Sequence, residues 1–380
     1  MTDADRLSGL PTPQLILDEA RMLRNIARLR SRLAPHEVTL RPHLKTAKSV
    51  EVARHVLADG TGPATVSTLK EAEALATAGI RDILYAVGIA PQKLTRVLAL
   101  RAGGCDLSII LDSREQAAAV AEASRAAGDP IPVLIEIDSD SHRGGLRPDD
   151  PALLDVGRVL HEGGAALRGV LTHAGESYGV SGEEAHAAFA ERERSAVVRA
   201  AEALRAAGLP CPVVSVGSTP TAHNARDLTG VTEVRAGVYV FFDLVMAGIG
   251  VCSTNDIALS VLTTVIGHQR ERGWILIDAG WMALSRDRGT ASQAVDQGYG
   301  LVCDIEGRVV GDLIVSAANQ EHGIVALRSG STGVLPEFAV GSCLRILPNH
   351  ACATAAQHPH YNVIAHEPVV EATWPRFNGW

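Results

Sequence analysis

Between about residues 36 and 240 the chain alternates short β-branched apolar runs with longer Ala-, Leu-, Arg- and Glu-rich stretches, the texture of parallel βα units. The runs fall at Val38–Leu44, Thr65–Thr68, Ile83–Val87, Leu107–Leu111, Pro132–Asp138, Leu167–Thr172, Val213–Val216 and Val234–Val238. Eight is the number at which a parallel sheet closes, so the pattern predicts a (β/α)8 barrel. Arg114–Ala127 and Glu183–Ala207 read as outer helices with one solvated face, stopped by Gly128 and Gly208. An open doubly wound sheet is the rival, but no GxGxxG follows the first strand and polar clusters sit after many strands.

After Asn255 the texture becomes β-rich with glycine turns, at Ile257–His268, Trp274–Ala279, Leu301–Ile305, Gly323–Leu327 and Cys343–Leu347. The early run Gln14–Asp18 would be a ninth barrel strand and is better paired with this second region, Asp18 then N-capping a helix to about Leu33. The expected division is a barrel over residues 20–254 and a smaller β domain over 255–380, joined by 1–19.

Composition narrows the function. The 380 residues are 46% hydrophobic and 21% charged, enough for two cores, and 43 acidic against 35 basic residues give a net charge of −8. The charges are interspersed, which argues against nucleic acid or an anionic membrane and for a small-molecule substrate. Six scattered cysteines without a CxxC suggest neither a disulfide framework nor a zinc knuckle. The start MTDADRLSGLPTP lacks a signal-peptide pattern, and the most apolar stretch, Ala236 to Cys252, is interrupted by Asp243 and too short to span a membrane. A cytoplasmic location is the expectation.

Catalytic groups of a parallel barrel lie at the strands' C-terminal ends. In VTLRPHLKTAKS, alternation places Thr39, Arg41, His43 and Lys45 on one face. A lysine desolvated beside other cations has a lowered pKa, the condition for a Schiff-base nucleophile; a lysine reaching solvent from the strand mouth is the plain alternative. Lys48 reads as a surface residue. Further strand ends carry Arg143 in HRGG, and His173 with Tyr178 in LTHAGESYG. In VGSTPT, Gly217, Ser218 and Thr219 can present N–H groups and hydroxyls to a phosphate, or form a tight turn. Gly237 in RAGVYVFFD would let the backbone approach a ligand. In the second domain, an extended PNHACAT segment would put His350 and Cys352 on one face, able to share a metal such as zinc or to fill a core. His322 is a further candidate without a fixed role.

Taken together, RPHLKTAKS, HRGG, VGSTPT, RAGVYVFFD and PNHACAT resemble, in order and over nearly the whole chain, the pyridoxal-phosphate (PLP) enzymes of alanine-racemase-like fold (fold type III) that act on D-3-hydroxy amino acids: the family of D-serine dehydratase, D-threo-3-hydroxyaspartate dehydratase and D-threonine aldolase. The resemblance implies a homodimer with Lys45 as the catalytic, PLP-bearing lysine, Arg143 near the cofactor's phenolic oxygen and Tyr178 at its ring. Gly217, Ser218, Thr219, Gly237 and Val238 would hold the phosphate. His350 and Cys352 would hold a divalent metal: zinc, with manganese or cobalt as alternatives. His-x-Cys resembles the dehydratases, the aldolases having Asp in place of the cysteine, and SVGSTPTAHNA, RAGVYVFFDLVMAGIGVC and DAGWMALSRDRGT look most like the hydroxyaspartate branch. The implied reaction is loss of water from a D-3-hydroxy amino acid to give a 2-oxo acid and ammonia. Retro-aldol cleavage to glycine and an aldehyde, racemisation using Tyr299, and cofactor carriage are the alternatives. Arg286 and Arg288 are candidates to bind a substrate's second carboxylate.

Overall fold

The computed structural model describes residues 6–365 and 367–380. It divides into two compact units: Arg28–Gly237 with Phe377–Trp380, and the chain up to Ala27 with Val238–Arg376.

The first unit is built on eight parallel strands, Thr39–Leu40, Ala64–Val66, Asp82–Gly88, Asp106–Leu111, Pro132–Ile137, Ala166–Thr172, Val213–Val216 and Glu233–Val234, with the first lying beside the last. The open edge between the first strand's extension and Ala64–Val66 is joined by a parallel bridge from His43 to Thr65, with Leu44 N–H donating to Thr65 O at 2.8 Å and Thr65 N–H to Pro42 O at 2.8 Å. The ring of strands therefore closes. Leu84, Ile110, Leu134 and Leu171, from four neighbouring strands, pack as one apolar cluster. The helices start where the sequence places N-caps: Thr68 accepts from Glu71 N–H ahead of Leu69–Thr77, and Ser113 from Gln116 N–H ahead of Arg114–Ala127, which Gly128 ends at φ 64°.

The second unit is a nine-stranded sheet. Leu259–Gln269, Trp274–Ile277, Gly323–Leu327, Val309–Ala318, Leu301–Cys303 and Cys343–Leu347 pair in that order, and the last returns to Leu259–Gln269, closing a six-stranded antiparallel barrel. Gln14–Asp18 joins this sheet as expected, antiparallel to Leu259–Gln269 and parallel to His360–Ile364. Asp18 Oδ1 then accepts from Arg21 N–H at 2.9 Å at the start of the helix Glu19–Leu33. Leu7, Ile16, Leu262 and Ile364 form part of its core.

Residues 238–254, read from sequence with the barrel, bond instead within the β unit: Leu244 N–H donates to Pro348 O, Val245 N–H to Asn349 O, and Ala258 N–H to Phe241 O. The apolar run Ala236 to Cys252 is buried over residues 238–244 and partly exposed beyond, at Gly248 and Gly250, and among the described residues no helix is long and apolar enough to cross a membrane.

Candidate active site

Only Thr39–Leu40 is regular strand in the first motif, but the ladder continues in alternation: Arg41 N–H donates to Val234 O and His43 N–H to Ala236 O. The side chains of Arg41 and His43 thus share a face, as the period-2 pattern required, whereas Lys45 lies beyond the ladder in the turn of residues 44–47. Their environments differ from the expected row of desolvated cations. Arg41 is neutralised, its Nε 2.5 Å from Glu233 Oε2 and its Nη1 2.7 Å from Asp82 Oδ1. Lys45 is exposed. Its neighbours are largely neutral: burial, then the Lys45 charge, depresses the His43 pKa well below the ordinary imidazole range, and the same two causes bring His173 down to about 3. Lys48, read as a surface residue, is half-buried in an ion pair at 3.3 Å with buried Glu71.

Beside them sits Arg235, which sequence reasoning missed. It is buried, its Nε donates to Ser215 Oγ at 2.8 Å and its Nη2 to Thr172 O, and Ser215 Oγ donates to Glu233 Oε1 at 2.7 Å. Burial lowers the Arg235 pKa, with Glu233, Glu193 and Glu136 opposing. The signal was present in EVRAG: Glu233 and Arg235 are i, i+2 neighbours of opposite charge on an otherwise apolar strand, which alternation places on one face.

The loops after the strands Ala166–Thr172 and Val213–Val216 are fastened together. His173 Nδ1 lies 2.8 Å from Gly217 O, Ser177 Oγ 2.9 Å from Ser218 Oγ, and the buried Glu193 carboxylate accepts from Ala174 N–H and Gly217 N–H. These contacts correct the reading of Gly217 as an anion donor, since both its N–H and its C=O are engaged within the protein. Its glycine identity has another cause. At φ 150° a Cβ would stand 1.8 Å from Arg235 O. Ser218 caps the short helix Thr219–Asn224, its Oγ bonded to Thr221 and Ser177. Thr219 Oγ1 is wholly buried and, among the described residues, has no hydrogen-bond partner; Thr65 Oγ1 is the same. Gly237 is small for the protein's sake too, because a Cβ there would meet His43 O at 3.0 Å and Thr46 Oγ1 at 3.3 Å. Val238 follows it in the chain but opens the β unit, in the turn Val238–Val240.

Arg143 lies on a tethered loop. Gly145 N–H donates to Asp112 Oδ2 at 2.8 Å, His142 Nδ1 is 2.6 Å from Glu176 Oε1, and the Arg143 guanidinium is 3.5 Å from Glu136. Arg143, Glu136, His142 and His173 line one small cavity. Tyr178 stands with its ring 6.4 Å from that of His173. The barrel unit therefore gathers Lys45, His43, His173, Tyr178, Arg143 and Arg235 with the Gly217–Thr219 turn. The positive charges, the unpartnered Thr219 hydroxyl and the aromatic ring suit a phosphorylated, planar cofactor.

In the β unit His350 and Cys352 do meet, though not in an extended strand: His350 N-caps the short helix Ala351–Ala355, whose turn brings ring and sulfur together. Two carboxylates frame the pair. Asp287 Oδ2 is 2.6 Å from His350 Nδ1, and buried Asp243 accepts from Ala351 N–H and Met246 N–H, each at 2.9 Å. Burial works against charge on His350, but Asp287, Cys352 and Asp243 outweigh it and hold its pKa up to about 11, the acidic setting a cation requires. Among the described residues no group of three or more His, Cys, Asp or Glu side chains is arranged to hold a metal. Arg288 is matched by Asp296 at 2.5 Å and stacks on Tyr299, whereas Arg286 lies over the Trp281 ring. His322 is exposed and contributes its backbone to a turn with Asn319.

Two family models cover the chain, the alanine racemase N-terminal domain over residues 17–245 and the serine dehydratase domain over 258–364. D-threo-3-hydroxyaspartate dehydratase of Delftia sp. strain HT23 is 58% identical over 379 residues, 99% of this chain and all of the relative, and its solved structure superposes with a TM-score of 0.96 over 99% of this chain and 100% of that one. A D-serine dehydratase of Schizosaccharomyces pombe is 30% identical, covering 98% and 93% of the two chains. The D-threonine aldolase of Filomicrobium marinum superposes at TM-score 0.82 with 26% identity, covering 97% and 96%. With both models and a full-length relative in agreement, this chain belongs to the D-serine dehydratase and D-threonine aldolase family of alanine-racemase-like enzymes.

Proposed function

We propose that this chain is a PLP- and metal-dependent carbon–oxygen lyase that removes water from a D-3-hydroxy amino acid, D-threo-3-hydroxyaspartate ahead of D-serine and D-threonine, yielding a 2-oxo acid and ammonia. The observation that carries this reading is the full-length identity to a hydroxyaspartate dehydratase. The family implies PLP, and the barrel unit's residues fit it. Lys45 would carry the cofactor, Arg143 face its phenolic oxygen, Tyr178 its ring, and Ser218, Thr219 and Val238 its phosphate, with Gly217 and Gly237 shaping that turn.

Bound there, PLP supplies an electron sink for the carbanion formed at Cα. Lys45 Nζ takes the Cα proton. His43 and His173, held neutral, crowd Lys45 without adding a competing charge. Arg235 fixes the floor by tying the Thr172 carbonyl to Ser215 and Glu233.

His350 and Cys352 would hold a divalent ion, zinc ahead of manganese or cobalt, whose Lewis acidity stabilises hydroxide as it leaves Cβ. Asp287 on Nδ1 leaves Nε2 as the ligating atom of His350. The relative offers support: it has been solved with a histidine replaced by alanine, and with the cysteine two residues later replaced, the latter described as metal-free. A homodimer is the proposed assembly.

The test is 2-oxo acid release from the three substrates before and after EDTA. Oxo acid formation that EDTA abolishes, fastest with hydroxyaspartate, is expected; glycine and an aldehyde instead would make the chain an aldolase.

A further inference from the structure

We propose that Glu193 is a positioning residue for the cofactor phosphate, its carboxylate holding the Gly217 peptide so that the turn at Ser218 and Thr219 keeps its shape. The proposal rests on the reading that this turn receives the phosphate of PLP.

Glu193 lies midway along Glu183–Ala206, on the face shared by buried Ala190, Ala196, Val197 and Ala200. An outer helix of a barrel has no need of a carboxylate there, and burying one is costly unless hydrogen bonds compensate. Glu193 is 2% exposed, and a single oxygen, Oε1, accepts both Gly217 N–H at 2.8 Å and Ala174 N–H at 3.2 Å. These two donors begin the two loops that His173–Gly217 and Ser177–Ser218 also join. Among the described residues Glu193 forms no ion pair within 4 Å; a small cavity bounded by Glu193, Val216, Gly217 and Thr221 lies beside it. The arrangement needs an acceptor at this point more than a charge. Burial accordingly pushes the Glu193 pKa up, against the pull of the Gly217 N–H, Thr221 and Arg235.

With the Gly217 N–H held by Glu193 and the Gly217 C=O by His173, the peptide groups on either side of Gly217 are each fixed in orientation. The next residues, Ser218 and Thr219, are then set in place, both buried. Ser218 caps the helix, and among the described residues the Thr219 hydroxyl has no hydrogen-bond partner. Removing the Glu193 acceptor leaves the Gly217 N–H unsatisfied, with only the Val216 carbonyl of that peptide still held, by Arg235 N–H, and loosens the turn. The phosphate end of the ligand, and not its ring, should register the loss.

The experiment compares binding of pyridoxal phosphate and of pyridoxal, which lacks the phosphate, to full-length apo protein by absorbance titration, with thermal melts as a control for folding. Glu193→Ala should weaken pyridoxal phosphate by about tenfold, the scale of one lost hydrogen bond, and pyridoxal by less than about threefold. Glu193→Gln, which keeps a carbonyl oxygen in place, should restore the phosphate preference. Should Glu193→Ala fail to fold, Glu193→Asp, which withdraws the acceptor by one methylene, is read in its place and should show the same selective loss. Equal losses for both ligands, or none, would overturn the assignment, since a merely structural role does not distinguish them. Wild-type protein that takes up neither ligand would overturn the cofactor reading itself, and this assignment with it.

Discussion

Gly217→Ala offers a quantitative test of how tightly the turn is built. The added methyl would stand 1.8 Å from Arg235 O, more than an ångström inside the 3.0 Å limit of real contacts, and 2.6 Å from the Arg235 carbonyl carbon, at a φ of 150°. Neither side can give way cheaply. Arg235 N–H donates to Val216 O at 2.7 Å and its side chain is bonded to Ser215 and Thr172, while Gly217 is held by Glu193 and His173. Overpacking of about 1–3 kcal/mol and backbone strain of similar size together cost roughly 3 kcal/mol, a fall in Tm of about 6–12 °C at ~2–4 °C per kcal/mol. Gly169→Ala is the matched control. Its Cβ would meet Val213 O at 1.9 Å, again at positive φ, but within the strand Ala166–Thr172 and away from the turn. Differential scanning fluorimetry should show comparable losses for the two variants, whereas pyridoxal phosphate titration should show weakened binding for Gly217→Ala alone. Identical cofactor affinity in both variants would refute the reasoning that ties this glycine to the site.

Buried neutral histidines give a pH dependence with a definite sign. His173 is depressed to about 3 in the fold against roughly 6.5 unfolded, so the unfolded chain binds the extra proton first and stability falls as pH drops below about 6.5, levelling only near 3. His173→Gln should flatten that acid limb in Tm measured from pH 7 to 4; an unchanged slope would show that the ring is not held neutral. Cys352→Ala should lower bound metal, counted by plasma mass spectrometry, to well below half of wild type while leaving the cofactor band in place, and retained metal would remove the thiol from the donor set. Arg286→Ala should reduce kcat/KM for hydroxyaspartate by about tenfold relative to D-serine, the scale of one lost ion-paired contact; Arg288→Ala, already matched by Asp296, should not. Equal ratios in both variants would exclude this loop from recognition of the second carboxylate.

The barrel was legible because its strands are short, apolar and spaced by helices whose caps are explicit. All eight predicted runs correspond to strands, and Ser113 and Gly128 bound their helix where capping chemistry requires. The β unit was read less completely. Val309–Ala318 escaped notice because its middle is broken by Gly311 and Asp312 and much of it is exposed, leaving no alternation; His360–Ile364 and Ala372–Pro375 are short strands close to the end of the chain. In the site, residues at strand ends could be nominated by position. Glu193 could not, because one acidic residue on a charged helix is indistinguishable from its solvated neighbours until the helix is docked. Asp287 and Asp243 become partners of the His350 segment through contacts distant in sequence, which no local spacing reports.

The central claim is that Lys45 carries the cofactor, and it is tested most directly by reducing the PLP-loaded protein with borohydride and locating the resulting phosphopyridoxyl group by peptide mass spectrometry. The account predicts a single modified site at Lys45, lost in Lys45→Ala together with the visible band. Modification at Lys48, whose ion pair with Glu71 should keep it out of reach, or no modification of a protein saturated with PLP, would contradict it.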